Sequence, residues 1–202
     1  MRAERFDEHY ASNRYYDHVF GNDAVKVLPG EYCISDDDTV LVTVLGSCVT
    51  ACIRDAAAGI GGMNHFMLAD GSADPLGASA RYGAYAMEIL INHLLKRGAR
   101  RDRLEAKVFG GGRVLDSLAS AGIGRRNAEF ALEYLRAEQI PVLAQDLLDV
   151  HPRKVYFFTQ TGRVLVRRLV RLHNDTLMRR EREYAALLAD GGVTGAIEMF
   201  QG

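Results

Sequence analysis

The sequence contains no tryptophan, and aromatic residues make up only 8% of its 202 positions. Its charge is nearly balanced, because 25 lysine and arginine residues face 26 aspartate and glutamate residues and leave a formal net charge of −1. Proteins that bind nucleic acid usually present a basic surface and aromatic side chains on which bases stack. The chain has neither feature, and its charge provides no attraction to an anionic membrane. We therefore expect neither nucleic acid nor a membrane as its partner.

Cysteine is scarce as well, and no apolar run is long. Cys33, Cys48 and Cys52 are too few, and odd in number, for a disulfide framework. The longest uncharged apolar run, residues 39–53, is shorter than the roughly 20 residues that span a membrane, and it contains a glycine. The N-terminal residues mix both charges and precede no apolar stretch, so they do not resemble a signal peptide. These features predict a cytoplasmic protein with reduced thiols.

The remaining composition is typical of a folded domain. Hydrophobic residues make up 48% of the chain and charged residues 25%, which are ordinary values for globular proteins. No internal repeat or low-complexity linker divides the sequence. We predict a polar N-terminal arm of residues 1–23, one compact domain of residues 24–170, and a C-terminal helix and tail of residues 171–202.

Hydrophobic periodicity predicts strands mixed with a few helices. Helices are predicted over residues 82–97, 127–138 and 174–189, where apolar side chains recur at helical spacing. The main strands are predicted over residues 25–28, 39–45, 104–109, 140–143, 155–158 and 163–166, with the last two forming a hairpin. Residues 59–62, which are rich in glycine, are interpreted as a turn. This mixture indicates an α+β fold rather than a regular doubly wound sheet.

Cys48 is the leading candidate for a chemical role. It follows a strand of β-branched residues and Gly46, and a turn at this point would expose the sulfur and direct backbone N–H groups at one spot. Such N–H groups stabilise an oxyanion beside the carbon that a thiolate attacks. The alternative is a structural role, because unpaired cysteine is among the residue types most often buried.

His65 is the candidate partner of Cys48. It lies beyond the glycine-rich segment in a short apolar run, so the strands before and after the glycines could lie side by side. A neighbouring imidazole raises the thiolate fraction of a cysteine, whose ordinary pKa is about 8.5. Spacing alone leaves open whether His65 acts in this way or is a half-buried structural histidine. Thr43 could orient the imidazole through its hydroxyl or carbonyl oxygen, although threonine is also a good strand former.

Three other motifs are weaker. Cys48 and Arg54 have the Cys-x5-Arg spacing of cysteine phosphatases, but the residues between them are apolar or β-branched, whereas a phosphate loop needs glycine and polar residues. The glycines at positions 110–112 lack the ending of a nucleotide-binding loop and favour a close approach of two backbones. Cys48 and Cys52 have no matching pair of zinc ligands. The sequence therefore predicts no metal and no cofactor.

Several separate segments resemble one known family, CheD, the chemoreceptor glutamine deamidases. The resemblance covers about residues 25–169, and motifs in the expected order are more specific than any single cysteine pattern. The segments that carry it are Leu45-Gly46-Ser47-Cys48-Val49, Gly61-Gly62-Met63-Asn64-His65-Phe66 and residues 25–32, 104–111 and 123–129.

The resemblance implies both a fold and a set of site residues. The implied fold is a layered α/β arrangement of mixed β-sheets flanked by helices, similar to the catalytic domains of bacterial deamidating toxins. The implied catalytic triad consists of Cys48, His65 and Thr43, which match the cysteine, histidine and threonine of the family.

The resemblance also implies a reaction and partners. A member of this family is a cysteine-dependent protein-glutamine glutaminase that converts glutamine to glutamate on the cytoplasmic helices of chemoreceptors, through a thioester and with release of ammonia. The same chemistry could cleave a glutamyl methyl ester. Some members also bind a response-regulator phosphatase, so the alternative function is that of a non-catalytic chemotaxis adaptor.

Overall fold

The computed structural model describes residues 9–68, 78–113, 122–170 and 175–189. Within these ranges the chain forms two five-stranded sheets and three α-helices, so the predicted α+β class is confirmed. The strands are β1 (Asn13–Asp17), β2 (Asn22–Lys26), β3 (Tyr32–Ser35), β4 (Val40–Leu45), β5 (Val49–Asp55), β6 (Ile60–Asn64), β7 (Leu104–Gly110), β8 (Val142–Leu147), β9 (Arg153–Phe158) and β10 (Arg163–Arg168). The helices are α1 (Ala78–Lys96), α2 (Ile123–Ala137) and α3 (Asp175–Ala189).

Both sheets mix parallel and antiparallel pairing. The first sheet has the order β1-β2-β4-β9-β10, and β2 and β4 are its parallel pair. The second sheet has the order β3-β6-β5-β7-β8, and β7 and β8 are its parallel pair. Because β4 belongs to the first sheet and β5 to the second, the short connection between these two strands passes from one sheet to the other.

A hydrophobic core lies between the two sheets. Along β4, Leu41 and Leu45 are buried in this core, whereas Val40 and Val42 are buried in a smaller cluster on the opposite face. Since successive side chains of a strand point to opposite faces, Thr43 points in the same direction as Leu41 and Leu45. The strand is therefore apolar on both faces, and Thr43 is a polar group directed between the sheets.

The second sheet has helices on its outer face. β5 contributes Cys52 to the core between the sheets and Ala51 and Ile53 to the core beneath the helices. Helices α1 and α2 cover this second core with buried side chains that include Met87, Leu90, Ile91, Leu94, Ala131 and Leu135. Among the described residues, no helix has the length and apolarity that crossing a membrane requires.

Most predicted elements are observed, although several of their bounds differ and the glycine-rich segment has a different structure. α1 and α2 each begin one turn earlier than predicted, and β9 and β10 form the predicted hairpin. Residues 60–62, interpreted as a turn, instead belong to strand β6. A side chain at Gly62 would lie 2.9 Å from the Cys33 carbonyl oxygen and closer still to the side chains of Ile34 and Leu90. These glycines allow layers to pack closely, which a single sequence does not reveal.

The two ends of the chain are described only in part. β1 lies within the polar segment predicted as an N-terminal arm, and it pairs in antiparallel fashion with β2. The predicted C-terminal helix is observed as α3. Residues 1–8 of the predicted arm and the predicted tail after α3 lie outside the described residues.

Candidate active site

Cys48 lies in the connection between β4 and β5, which other parts of the chain hold in place. Each backbone carbonyl of this loop, residues 46–48, accepts a hydrogen bond from another part of the chain. The carbonyl oxygens of Gly46, Ser47 and Cys48 accept, in that order, from the Gly112 N–H at 2.7 Å, the Asn127 side-chain amide at 2.8 Å and the Gly111 N–H at 2.8 Å. With the carbonyls fixed on one side, the N–H groups of the loop are directed to the other.

The glycines at positions 110–112 make this arrangement possible. Gly110 and Gly111 have positive φ angles of 114° and 67°, a region that favours glycine. A side chain at Gly110 would collide with the carbonyl oxygen of Cys48. The close backbone approach favoured by the sequence is therefore observed, and it occurs directly beside the candidate nucleophile.

The N–H groups of the Cys48 loop converge on one carboxylate. Glu181 of α3 accepts from the N–H of Gly46 at 2.8 Å, of Ser47 at 3.0 Å and of Cys48 at 3.4 Å. The Ser47 hydroxyl also donates to it at 2.7 Å. Consecutive backbone N–H groups that face one point form an anion-binding concavity. The convergence of N–H groups predicted for this loop is present, and a buried glutamate side chain occupies it.

The thiol of Cys48 is held in its neutral form. Cys48 is fully buried, and burial is the main cause that raises its pKa well above the ordinary value. The negative charge of Glu181 and its hydrogen bond with the thiol raise the pKa of Cys48 further. Thiolates, and not thiols, are nucleophiles. In this arrangement, with α3 in place, Cys48 is therefore not activated.

His65 lies on the same face of the second sheet as Cys48. Val49 and Phe66 exchange backbone hydrogen bonds of 2.9 and 3.0 Å, and Cys52 pairs with Met63 in the same register. This register makes Cys48 and His65 diagonal neighbours across an antiparallel pair, for which a separation of roughly 7 Å is usual. The side-by-side strands expected on either side of the glycines are thus observed.

Thr43 reaches His65 from the first sheet. Its hydroxyl donates to the Val27 carbonyl at 2.8 Å, and its oxygen lies 2.7 Å from Nδ1 of His65. Because the hydroxyl proton is used for Val27, the threonine oxygen accepts a hydrogen bond from Nδ1–H. Nδ1 also lies 3.3 Å from the Val27 carbonyl. We infer that the neutral ring is protonated at Nδ1, which leaves the lone pair on Nε2.

The Nε2 atom of His65 is buried, and it has no hydrogen-bond partner among the described residues. Burial lowers the pKa of His65 to about 4, although the Val27 carbonyl acts in the opposite direction. A buried polar atom without a partner is costly and is commonly found at functional sites. Near neutral pH the ring is therefore an uncharged base whose Nε2 lone pair is buried.

Tyrosines of α1 and α3 close the region beside His65. The hydroxyls of Tyr82 and Tyr184 are hydrogen-bonded to each other, and burial raises the pKa of Tyr82 to about 12. A Cβ atom at Gly30 would lie 2.9 Å from the Tyr184 hydroxyl oxygen. A cleft lined by Gly30, His65, Tyr82 and Tyr85 lies on the α1 side of this contact. Glu181 and Tyr184 therefore attach α3 to the candidate site at two points.

The structure brings together Thr43 and His65 by direct contact and places Cys48 on the same inner surface. Sequence reasoning did not identify Glu181. A signal was present, because Leu177, Glu181, Tyr184 and Leu188 follow helical spacing, which puts a carboxylate within the apolar stripe of α3.

Two alternatives can also be compared with the geometry. Residues 49–55 form the extended strand β5, so the Cys48–Arg54 spacing does not build a phosphate-binding loop, and Arg54 pairs with Glu105 at 3.7 Å. The part of the chain that the structure describes contains no cluster of three metal-ligating side chains.

Comparisons with known proteins place the chain in a family. Residues 67–168 match the family model described as CheD chemotactic sensory transduction. The chain is 63% identical, over 96% of its length and 98% of the relative's, to a protein of Dechloromonas aromatica named "probable chemoreceptor glutamine deamidase CheD 1". It is 58% identical to the "probable chemoreceptor glutamine deamidase CheD" of Janthinobacterium sp. (strain Marseille), over 98% and 99% of the two chains. Since such similar relatives cover nearly the whole chain, the protein belongs to the CheD family.

Proposed function

We propose that the protein is a chemoreceptor glutamine deamidase that converts glutamine side chains of methyl-accepting chemotaxis receptors to glutamate. Relatives that are 63% and 58% identical over nearly the full chain carry this name. The observation that best supports the chemistry is the loop of residues 46–48, whose N–H groups bind a glutamate carboxylate beside Cys48. A concavity that binds this anion also fits the oxyanion formed when a thiolate attacks the amide of glutamine.

The first half of the reaction uses Cys48 and His65 as catalytic residues. Nε2 of His65 accepts the thiol proton, and the Cys48 sulfur forms a bond to the side-chain carbon of the glutamine. The carbonyl oxygen becomes an oxyanion that the N–H groups of the loop stabilise. The imidazolium then gives its proton to the amide nitrogen, the carbon–nitrogen bond breaks, and ammonia leaves a thioester.

The second half restores the enzyme. Nε2 of His65 takes a proton from a water molecule, whose oxygen attacks the thioester carbon, and the sulfur leaves as a thiolate that recovers its proton. The net change is addition of one water to the amide, which yields glutamate and ammonia. A glutamyl methyl ester would follow the same route with methanol as the leaving group, so we include a methylesterase side activity in the proposal.

The partners follow from the proposed reaction. The substrates are the cytoplasmic helices of chemoreceptors, so the enzyme would act in the cytoplasm. A response-regulator phosphatase is a further proposed partner, which rests on the family resemblance alone. A non-catalytic adaptor is the alternative function, and it requires that binding occurs without any change to the receptor.

The test of the function is direct. A receptor cytoplasmic fragment is incubated with the reduced full-length protein, and its peptides are mapped by mass spectrometry beside a fragment incubated alone. We expect particular glutamines to become glutamates, with one ammonia released for each conversion. Absence of conversion across several receptors, with a folded and reduced protein, would contradict deamidation and favour the adaptor.

Thr43 is proposed to position His65. Thr43→Val keeps the shape of the side chain but removes the oxygen that accepts from Nδ1 of His65, so the ring loses its fixed orientation and tautomer. Loss of such a supporting partner lowers activity by about 10–100-fold, and we expect this decrease in kcat with a smaller change in KM. Thr43→Ser restores the oxygen and should recover most of the activity. Equal kcat values for Thr43→Val and the wild type would show that the contact is structural.

A further inference from the structure

The anion site beside Cys48 is already occupied by a part of the chain itself. Glu181 is fully buried although it lies in the run of residues 179–183, in which every residue is charged, and buried carboxylates are rare unless they are paired. Its partners are backbone N–H groups and the Ser47 hydroxyl. These uncharged donors would serve equally for an oxyanion or for the carbonyl oxygen of a bound amide.

The Glu181 carboxylate that fills the site is the same functional group as the product of the proposed reaction. Deamidation of glutamine leaves a glutamate side chain whose carboxylate lies against the same N–H groups and the same sulfur. Glu181 presents this group from a helix, as a receptor glutamate would be presented. Because its oxygens bind the Gly46, Ser47 and Cys48 N–H groups, a substrate carbonyl cannot bind there at the same time.

The described side chains of α3 attach this helix to the rest of the molecule along a narrow stripe. The described side chains that face the molecule from this helix include Glu181, Tyr184 and Ala185, while Leu187 is 51% exposed. The side chains of Arg179 and Glu183 are 69% and 68% exposed. A helix that the described residues hold by one carboxylate, the hydrogen bond between Tyr82 and Tyr184 and a short apolar stripe can be replaced by another helix that presents a side chain to the same loop.

We propose that α3 is a tethered product mimic, in which Glu181 occupies the oxyanion site and keeps the enzyme closed until a receptor helix displaces it. This inference rests on the proposed deamidase function and adds its regulation. Removal of α3 from the site exposes Cys48 and takes a negative charge away from the thiol. Displacement of α3 by a receptor helix would therefore both open the site to the substrate and activate Cys48.

The experiment uses the full-length chain with Glu181→Ala, and with Glu183→Ala as a matched control on the exposed face of the same helix. The first measurement is the rate at which iodoacetamide modifies Cys48, followed by peptide mapping. We expect Glu181→Ala to raise this rate at least about tenfold, because one unit of thiol pKa changes the thiolate fraction tenfold. Glu183→Ala should react at the wild-type rate. Cys33 and Cys52 are buried and should stay unmodified, which shows that the variant remains folded.

The second measurement is kcat/KM on the receptor fragment, which should rise in Glu181→Ala and stay unchanged in Glu183→Ala. If the wild type deamidates the receptor but iodoacetamide modifies Cys48 no faster in Glu181→Ala, the product mimic is overturned and the proposed function stands. Lower kcat/KM in Glu181→Ala would overturn it too, because Glu181 would then assist catalysis. Faster alkylation with no conversion by any variant would overturn the deamidase function and the product mimic with it.

Glu181→Gln provides a test that does not depend on the choice of receptor. The introduced amide has the size of the native carboxyl group and lies where a substrate amide would bind. We expect Cys48 to hydrolyse it with one water and release ammonia, which restores the wild-type peptide mass. The same substitution combined with Cys48→Ala should keep the amide. An amide that persists when Cys48 is present, with Cys48 alkylated at the wild-type rate, would overturn the proposal.

Discussion

Cys48→Ala is expected to abolish conversion of receptor glutamines, with a loss of at least about 10⁴-fold in kcat. The variant keeps the N–H groups of the loop, but it has no atom that can form a bond to the amide carbon. Binding and oxyanion stabilisation alone leave only a small residual activity. The measurement is peptide mapping of the receptor fragment over a time course, with enzyme and substrate at equal concentrations so that slow conversion is detected.

Cys52→Ala is the matched control for this variant. Cys52 is also buried and contributes to the same core between the sheets, so the two substitutions remove the same atoms from similar surroundings. We expect Cys52→Ala to keep wild-type turnover. Conversion by Cys48→Ala at a rate near that of Cys52→Ala would contradict the covalent mechanism. In a pathway assay, an adaptor would tolerate Cys48→Ser, whereas a deamidase would not.

The central strands could be predicted because their apolar runs are long and bounded by clear turn residues. The run before Cys48 indicates a strand, and β4 ends at Leu45 as the following glycine suggests. Which strands belong to which of the two sheets could not be predicted. β5 is buried on both faces, so its sequence shows no alternation from which a direction for Cys48 could be read.

The sequence predicts which residues form the candidate site, and the structure adds the contacts that surround them. Cys48, His65 and Thr43 were all identified from the sequence, and the contact between Thr43 and His65 is observed. The contact of Glu181 with the Cys48 loop joins residues that are 133 to 135 positions apart in the chain. A glutamate is ordinarily exposed to solvent, so its place in the apolar stripe of α3 is a sequence signal, but only the packing of α3 against the loop shows which groups it contacts.

His65→Gln is expected to lower kcat by about 10²–10⁴-fold, because the reaction loses the group that moves protons at the sulfur and at the leaving nitrogen. Glutamine can still donate to the Thr43 oxygen, so the change tests Nε2 rather than the contact with Thr43. His18→Gln, at an exposed position, is the control and should keep wild-type kcat. Wild-type turnover by His65→Gln would contradict the role of His65 in proton transfer.

His65→Gln should also change how the stability of the protein depends on pH. Burial lowers the pKa of His65 to about 4 from 6.5. Between these two pH values the histidine is protonated in the unfolded chain but stays neutral in the folded protein. The stability from this group is complete above pH 6.5 and is lost as the pH falls toward 4. The full difference corresponds to about 3 kcal/mol in the free energy of unfolding. Urea unfolding at neutral pH and near pH 4 should therefore show a steeper loss in the wild type than in His65→Gln, and parallel losses would show that His65 is protonated within the folded protein.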